Sequence, residues 1–89
     1  MIPGDTFIHN NGTFHTVLNV RGPDTLVCYD TDHGRYYAVV WRLEQLENGR
    51  YEWSQGHYFQ ENFTQAQREF FKRNRERTRP HPRPFTLSR

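Results

Sequence analysis

The stretch TLVCYDTDHGRYYAVVWR, residues 25–42, decides the fold of this chain. It contains two apolar segments, Thr25–Tyr29 and Arg35–Arg42, separated by the polar turn Asp30–Gly34. Side chains in both segments alternate with the period of two that is typical of strands, and both faces of each segment carry apolar residues. The sequence therefore predicts a hairpin of two strands that are buried on both sides, so that the sheet needs a cover on each face.

Shorter strands flank this hairpin. They are predicted at Thr6–His9, Thr13–Val20, Leu43–Glu47 and Arg50–Trp53. Asn10-Asn11-Gly12 and Asn48-Gly49 are the turn signals between them, and the second favours a type I′ turn because both of its residues tolerate positive φ. In Thr13–Val20, alternation puts Leu18 and Val20 on one face and His15 on the other. Five or six short strands at this spacing predict a small barrel or sandwich.

The helical period appears only after residue 62. Phe63, Ala66, Phe70 and Phe71 form one apolar stripe, and Thr64–Gln67 fits a capping box, so we expect a helix over about residues 64–77. Phe70 is predicted to be buried. Either this helix or a partner subunit covers the second face of the hairpin, and the second possibility predicts a homodimer. Beyond the helix, three prolines favour an extended tail, and they are Pro80, Pro82 and Pro84.

The opening of the chain resembles small SH3-like barrel domains of bacterial and phage proteins of unknown function. The resemblance covers residues 3–42 and is carried by Pro3-Gly4-Asp5-Thr6-Phe7, Gly12–Val20 and Thr25–Tyr29. It implies a binding domain rather than a particular chemistry. We therefore expect a mainly β protein, a small SH3-like barrel of five or six strands with a C-terminal helix. Residues 1–78 are expected to form the domain and residues 79–89 an extended Pro/Arg-rich tail.

Composition and charge exclude several classes of protein. The 89 residues contain one Cys, which excludes a disulfide scaffold, and no apolar run long enough to span a membrane. Residues 1–20 lack the pattern of a secretory signal, so a cytoplasmic location is expected. The net charge of +2 hides an asymmetry. Residues 1–63 hold four Arg against eight acidic residues, a net −4, whereas residues 64–89 hold eight cations against two acids, a net +6.

The basic C-terminal part predicts nucleic-acid binding, because Lys and Arg that neutralise phosphates release counterions. The residues predicted to bind nucleic acid are Arg68, Lys72, Arg73, Arg75, Arg77, Arg79 and Arg83. Since Arg73, Arg75, Arg77 and Arg79 lie beyond the apolar stripe, replacing them is expected to leave folding intact. The alternative is a tail that docks on an acidic protein surface. In that case the chain is a protein-interaction module, such as a phage-type inhibitor or adaptor that binds a host protein through its acidic aromatic barrel.

Aromatic residues predict a second, supporting surface. The candidate ligand-binding rings are Tyr36, Tyr37, Tyr51, Trp53 and Tyr58. Exposed rings of this kind stack on bases, which favours RNA or another single-stranded nucleic acid. The alternative is that most of these rings fill the interior of the barrel.

The chain offers little that predicts catalysis. Five His and Cys28 include no pair at the close spacing of metal ligands, so neither a metal site nor a cofactor is predicted. His9 and His15 can meet across the Asn10–Gly12 turn, although exposure on a polar strand face is the simpler interpretation. Loose acid–base candidates for RNA cleavage are His15, His57, Asp5, Glu44 and Glu52. Their spacing selects none of them, so we predict a non-catalytic protein, with a small ribonuclease-like activity as the open alternative.

Overall fold

The computed structural model describes residues 1–78 and shows a mainly β protein with one C-terminal helix. The strands and the helix are β1 Thr6–Ile8, β2 Phe14–Arg21, β3 Asp24–Thr31, β4 Gly34–Trp41, β5 Glu44–Gln45, β6 Tyr51–Glu52, β7 Gln55–Gln60 and α1 Phe63–Thr78. Five strands form one antiparallel sheet in the order β1-β2-β3-β4-β7, and β5 pairs with β6 separately. The predicted hairpin of residues 25–42 is the centre of the large sheet.

The large sheet stays open within the described residues, with β1 and β7 as its edges. The β5–β6 hairpin leans against β1, where the amide of Asn10 donates to the carbonyl of Tyr51 over 2.8 Å and His9 forms an isolated bridge with Tyr51. Strands of two residues are too short to continue the ladder from β1 around to β7. The sequence expectation of a closed barrel is therefore not met, whereas the mainly β architecture is confirmed.

Each face of the sheet has its own apolar core. On one face the buried residues are Phe7, Val17, Val27, Ala38 and Val40, with Leu43, Tyr51 and Trp53 packed against them from the region of the β5–β6 hairpin. On the other face Leu26 and Val39 pack against Ala66 and Phe70 of α1. Phe70 has no exposed surface, as predicted. The helix of the same chain covers the second face, so that face no longer argues for a partner subunit.

A β-bulge in β2 changes the predicted alternation of side chains. The pairing with β3 shifts by one residue between Val17 and Asn19. As a result Leu18 packs on the helix side whereas Val20 packs on the opposite side, next to Val17. The prediction that Leu18 and Val20 share a face is therefore wrong, because a bulge inserts one residue that strict alternation does not count.

Two local predictions about turns and caps are also corrected. Asn62 rather than Thr64 caps α1. Its Oδ1 accepts a hydrogen bond of 3.0 Å from the backbone N–H of Gln65, and its Nδ2 donates to Oε1 of Gln65 over 3.2 Å. At the second hairpin turn Gly49 has a φ of 85° but Asn48 keeps a negative φ, so the turn is not type I′. The chain instead makes a tight turn in which Gly49 is the one residue with a left-handed backbone conformation.

Candidate binding cleft and basic helix

A cleft of about 240 Å³ opens on the face of the sheet opposite α1. Strands β2, β3 and β7 and the loops next to β1 and β6 contribute its lining. The lining residues are His9, Asn11, Thr13, His15, Tyr29, Trp53 and Tyr58. These residues are up to 49 positions apart in the sequence and meet only because β1, β2, β3, β4 and β7 bring their ends together. Most of the lining is aromatic or imidazole ring surface, which suits planar or cationic groups.

His9 and Glu52 join β1 to the β5–β6 hairpin at one wall of the cleft. Nε2 of His9 lies 2.6 Å from Oε1 of Glu52. This hydrogen bond lowers the pKa of Glu52, because it stabilises the charged carboxylate. The His9 ring also stacks on Trp53, with ring centroids 4.1 Å apart. The wall is therefore held by both a polar bond and ring stacking.

His15 forms the floor of the cleft and is only 3% exposed, which corrects its interpretation as a surface histidine. Its ring stacks on Phe7 with centroids 5.1 Å apart, and Nδ1 lies 3.1 Å from the carbonyl oxygen of Thr13. A carbonyl only accepts, so Nδ1 carries the hydrogen. Burial lowers the pKa of His15, outweighing the Thr13 bond, and the nearby His9 lowers it further. Neutral His15 thus keeps the lone pair on Nε2 as an acceptor.

Trp53 continues the His9 wall and joins it to Tyr58 of β7. The indole Nε1 of Trp53 donates to the Tyr58 hydroxyl over 3.0 Å, and the Tyr58 ring remains 57% exposed. Gly56 lies beneath this bond, because a Cβ at that position would come within 2.6 Å of the Tyr58 hydroxyl. Burial raises the pKa of Tyr29, and Tyr58 and Tyr36 nearby raise it further. The cleft therefore presents phenol rings and the neutral imidazole of His15.

The structure divides the predicted aromatic surface. Trp53 and Tyr58 lie in the cleft, and Tyr36 contacts the Tyr29 ring at its margin with centroids 6.0 Å apart. Tyr37 is on the other face of the sheet, 5.1 Å from the ring of Phe63. Tyr51 packs on Phe7 in the core, with centroids 5.2 Å apart. Sequence reasoning missed Tyr29 and both histidines as cleft residues, and the only available signal was that His9 and His15 flank a hairpin turn.

The basic helix lies on the opposite face and has two different sides. Arg73 belongs to the inner side, where Nη1 is 3.5 Å from the fully buried Asp24 and Nε is 3.0 Å from Glu69. Arg68 and Lys72 are exposed on the outer side. The side chains of Arg75 and Arg77 and the whole of Arg79 and Arg83 lie outside the described residues. The guanidinium of Arg73 is thus used for internal ion pairs, while Arg68 and Lys72 face solvent.

An exposed ring accompanies these two cations. Phe71 is 37% exposed, and the guanidinium carbon of Arg21 lies 5.9 Å from the centre of its ring. Because Phe71 is three residues after Arg68 and adjacent to Lys72, the three side chains share one side of the helix. The aromatic surface beside the basic residues is therefore Phe71, a residue that the sequence assigned to the buried stripe.

Charge is separated along the molecule. The β3–β4 turn at the cleft end carries Asp30 and Asp32, with Arg35 pairing with Asp30 over 3.2 Å. Glu61 lies beside the same turn, where its carboxylate would meet a Cβ at Gly34 at 3.6 Å, and Glu52 lies at the cleft wall. The cleft end is thus acidic and the outer side of α1 basic.

The loose acid–base candidates do not assemble into one site. Glu52 reaches His15 only through His9, whereas Asp5 accepts a bond from the amide of Ile2 over 3.0 Å and His57 is exposed on β7. In the described part of the chain, no group of three or more His, Cys, Asp or Glu side chains is placed to hold a metal ion.

Comparison with known proteins gave no relatives: no family model, no curated protein and no solved structure matched the chain. Among residues 1–78, no helix has both the length and the apolar character needed to cross a membrane.

Proposed function

We propose that the protein is a non-catalytic module that binds single-stranded nucleic acid, RNA foremost, through the outer side of α1 and the basic tail that follows. The observation that carries this proposal is the orientation of α1. Ala66 and Phe70 are fully buried and Arg73 is paired with Asp24, so the helix is fixed against the sheet with Arg68 and Lys72 outward. A fixed row of cations meets phosphates without first losing the freedom of a mobile segment.

The exposed ring of Phe71 favours binding of single strands over binding of duplexes. Its exposed ring lies on the same side of α1 as the two outward cations, and stacking of a base on such a ring contributes roughly 1–3 kcal/mol. A duplex keeps its bases stacked inside and offers none to Phe71. The cleft is not part of this surface, because it opens on the opposite face of the sheet at the acidic end of the molecule.

A salt titration of oligonucleotide binding tests the proposal. Each phosphate contact contributes about −0.7 to the slope of log affinity against log salt for a single strand. Replacing Arg68 and Lys72 together with Gln should therefore make the slope shallower by about 1.4 on single-stranded RNA. Replacing Arg35 and Arg50, exposed cations away from α1, with Gln is the matched control and should leave the slope unchanged.

Two outcomes oppose the proposal. Absence of binding to RNA and DNA at low salt removes nucleic acid as the ligand and favours the protein-interaction alternative. Equal slopes for the α1 variant and the parent protein show that nucleic acid binds elsewhere. Replacing Phe71 with Ala tests the preference for single strands, because it should weaken single-strand binding and leave duplex binding unchanged.

We also propose that the open sheet and the leaning hairpin are a small SH3-like barrel left unclosed. The bridge between His9 and Tyr51 supports this interpretation, since it places β6 next to β1.

A further inference from the structure

We propose that the aromatic cleft binds the Pro/Arg segment of residues 79–84 from a second copy of this chain. This inference goes beyond nucleic-acid binding, because it assigns a function to the cleft on the other face of the sheet and gives part of the basic tail a second ligand, for which nucleic acid competes. The cleft and the segment match in shape and in charge, and the direction of α1 assigns the segment to a neighbouring molecule.

The rings of the cleft suit the prolines of the segment. Tyr58 offers an exposed ring, and Trp53 and Tyr29 continue the aromatic surface into the cleft. Extended proline-rich segments bind in grooves lined with aromatic rings, because their backbone is already ordered and little conformational entropy is lost. The sequence Arg79-Pro80-His81-Pro82-Arg83-Pro84 alternates prolines with cations and is suited to such a groove.

Acidic residues outnumber basic ones around the cleft. Carboxylates of Asp30, Asp32, Glu52 and Glu61 lie at this end of the molecule, against two cations, Arg35, which pairs with Asp30, and Arg50, which donates to the carbonyl of Asn10 over 3.2 Å. Guanidinium groups are attracted both by these carboxylates and by the face of an exposed phenol ring. The lone pair on Nε2 of His15 adds an acceptor inside the cleft, so a phosphate is disfavoured there and an Arg-rich peptide is favoured.

The direction of α1 determines which molecule supplies the segment. The helix begins with Phe63 beside Tyr37 and reaches Asp24 at Arg73, so it runs away from the cleft end. Thr78 lies about 8 Å further on, at 1.5 Å per residue. From Asp24 back to Tyr29 the strand covers about 17 Å. Residues 79–84 span only about 19 Å when extended with three residues per turn. The segment is therefore too short to lie in the cleft of its own chain.

Contact between the basic end of one copy and the acidic end of the next is a head-to-tail interaction. The two surfaces that meet are different, so the contact either closes into a ring or continues as an open chain of molecules. Self-association is then expected to rise steadily with protein concentration and to weaken with salt, because exposed charges are screened.

The first experiment measures the mass of the full-length protein by light scattering over a range of concentrations, without nucleic acid. The expected result is a mass that rises with concentration, and a Tyr58→Ala variant that remains monomeric over the same range. Phe14→Ala is the matched control, because Phe14 is 58% exposed, nearly the same as Tyr58, but points to the other face of the sheet. A monomer at all concentrations, or an equal effect of both variants, overturns the proposal.

The second experiment adds a synthetic peptide of residues 79–89 to dilute full-length protein and follows the indole signals by NMR. The Trp53 signal should move because its N–H bonds to Tyr58 at the cleft, whereas the Trp41 signal should remain in place. A peptide with Ala at Arg79 and Arg83 should bind at least tenfold more weakly. No movement of the Trp53 signal, or movement caused by an RNA oligonucleotide and not by the peptide, overturns the proposal. The Arg68 and Lys72 variant should respond to the peptide as the parent does, which separates this test from that of nucleic-acid binding.

Discussion

The carboxylate of Asp24 has no exposed surface, and its Oδ1 lies 3.5 Å from Nη1 of Arg73. Asp24 begins β3 and Arg73 is in the third turn of α1, so this ion pair fixes the far part of the helix to the sheet. Glu69 holds the same guanidinium from one turn earlier, with an Nε to Oε2 distance of 3.0 Å. The pair determines which side of α1 faces inward.

Replacing Arg73 with Met should destabilise the protein, contrary to the sequence expectation that folding stays intact. Asp24 would lose one of its partners inside the protein, and removing a partner of a buried charged group costs about 1–3 kcal/mol. Urea unfolding followed by circular dichroism measures the change. Lys72→Met, one residue earlier and exposed, is the control and should change stability by less than about 0.5 kcal/mol. Equal stability of the two variants would show that the ion pair adds nothing.

Replacing Phe70 with Ala should cost roughly 3–5 kcal/mol, because the side chain is fully buried between α1 and the sheet. The same denaturant titration serves as the measurement. Phe71→Ala is the control, because it removes the same phenyl ring from a position that is 37% exposed. Its loss of stability should be clearly smaller than that of Phe70→Ala. Similar losses for both positions would contradict the packing of the helix described above.

Replacing Gly56 with Ala should open the cleft without unfolding the protein. The new Cβ would come within 2.6 Å of the Tyr58 hydroxyl and 3.0 Å of Nε1 of Trp53. The end of the Tyr58 side chain is free to move, so we expect the bond between Trp53 and Tyr58 to break. NMR should show a shifted Trp53 indole signal and faster exchange of its proton with solvent. Tyr58→Phe, which removes the acceptor and keeps the ring, should give the same exchange; a slow indole proton in both variants contradicts the bond.

Stability should fall as the pH drops below about 6.5, owing to His15. Its folded pKa lies below its ordinary value of 6.5 because of burial, so the unfolded chain binds the proton first. The stabilisation is complete above pH 6.5 and is lost as the pH falls through the folded pKa. The pKa of Glu52 is lowered from 4.5, so its own contribution is lost only at more acidic pH.

Unfolding curves at several pH values test the role of His15. His15→Phe keeps a ring against Phe7 and should make stability nearly independent of pH in this interval. His33→Gln changes an exposed residue of the β3–β4 turn and should retain the dependence of the parent protein. An identical slope for His15→Phe and the parent would assign the pH dependence to other groups.

The strands of the central hairpin were predictable because their pattern extends over many residues. Residues 25–29 and 35–42 alternate without interruption, and α1 follows from the spacing of Phe63, Ala66 and Phe70. The strand β7 was missed because Gln55-Gly56-His57 has neither apolar alternation nor high strand propensity. It forms because β4 offers an unpaired edge on which these residues complete hydrogen bonds.

The cleft was less predictable than the fold. His15 becomes buried because Phe7, Tyr29 and Trp53 close around it from three other strands or loops, which no local pattern reveals. From the sequence alone, Arg73 was assigned to phosphate binding because no local pattern indicates its pairing with Asp24, which is 49 positions away. A charge count along the sequence cannot distinguish a cation that faces solvent from one that completes a buried pair.

Because α1 covers the second face of the sheet and comes last in the chain, that face stays exposed during much of synthesis on the ribosome. All seven strands are translated before α1, so the sheet can pair while Leu26 and Val39 still lack Phe70 above them. During this interval the nascent chain exposes an apolar face together with the open edges of β1 and β7. Both features promote aggregation of incomplete chains. The arrival of residues 63–73 therefore covers the apolar face, whereas the edges of β1 and β7 stay open in the described part of the complete fold.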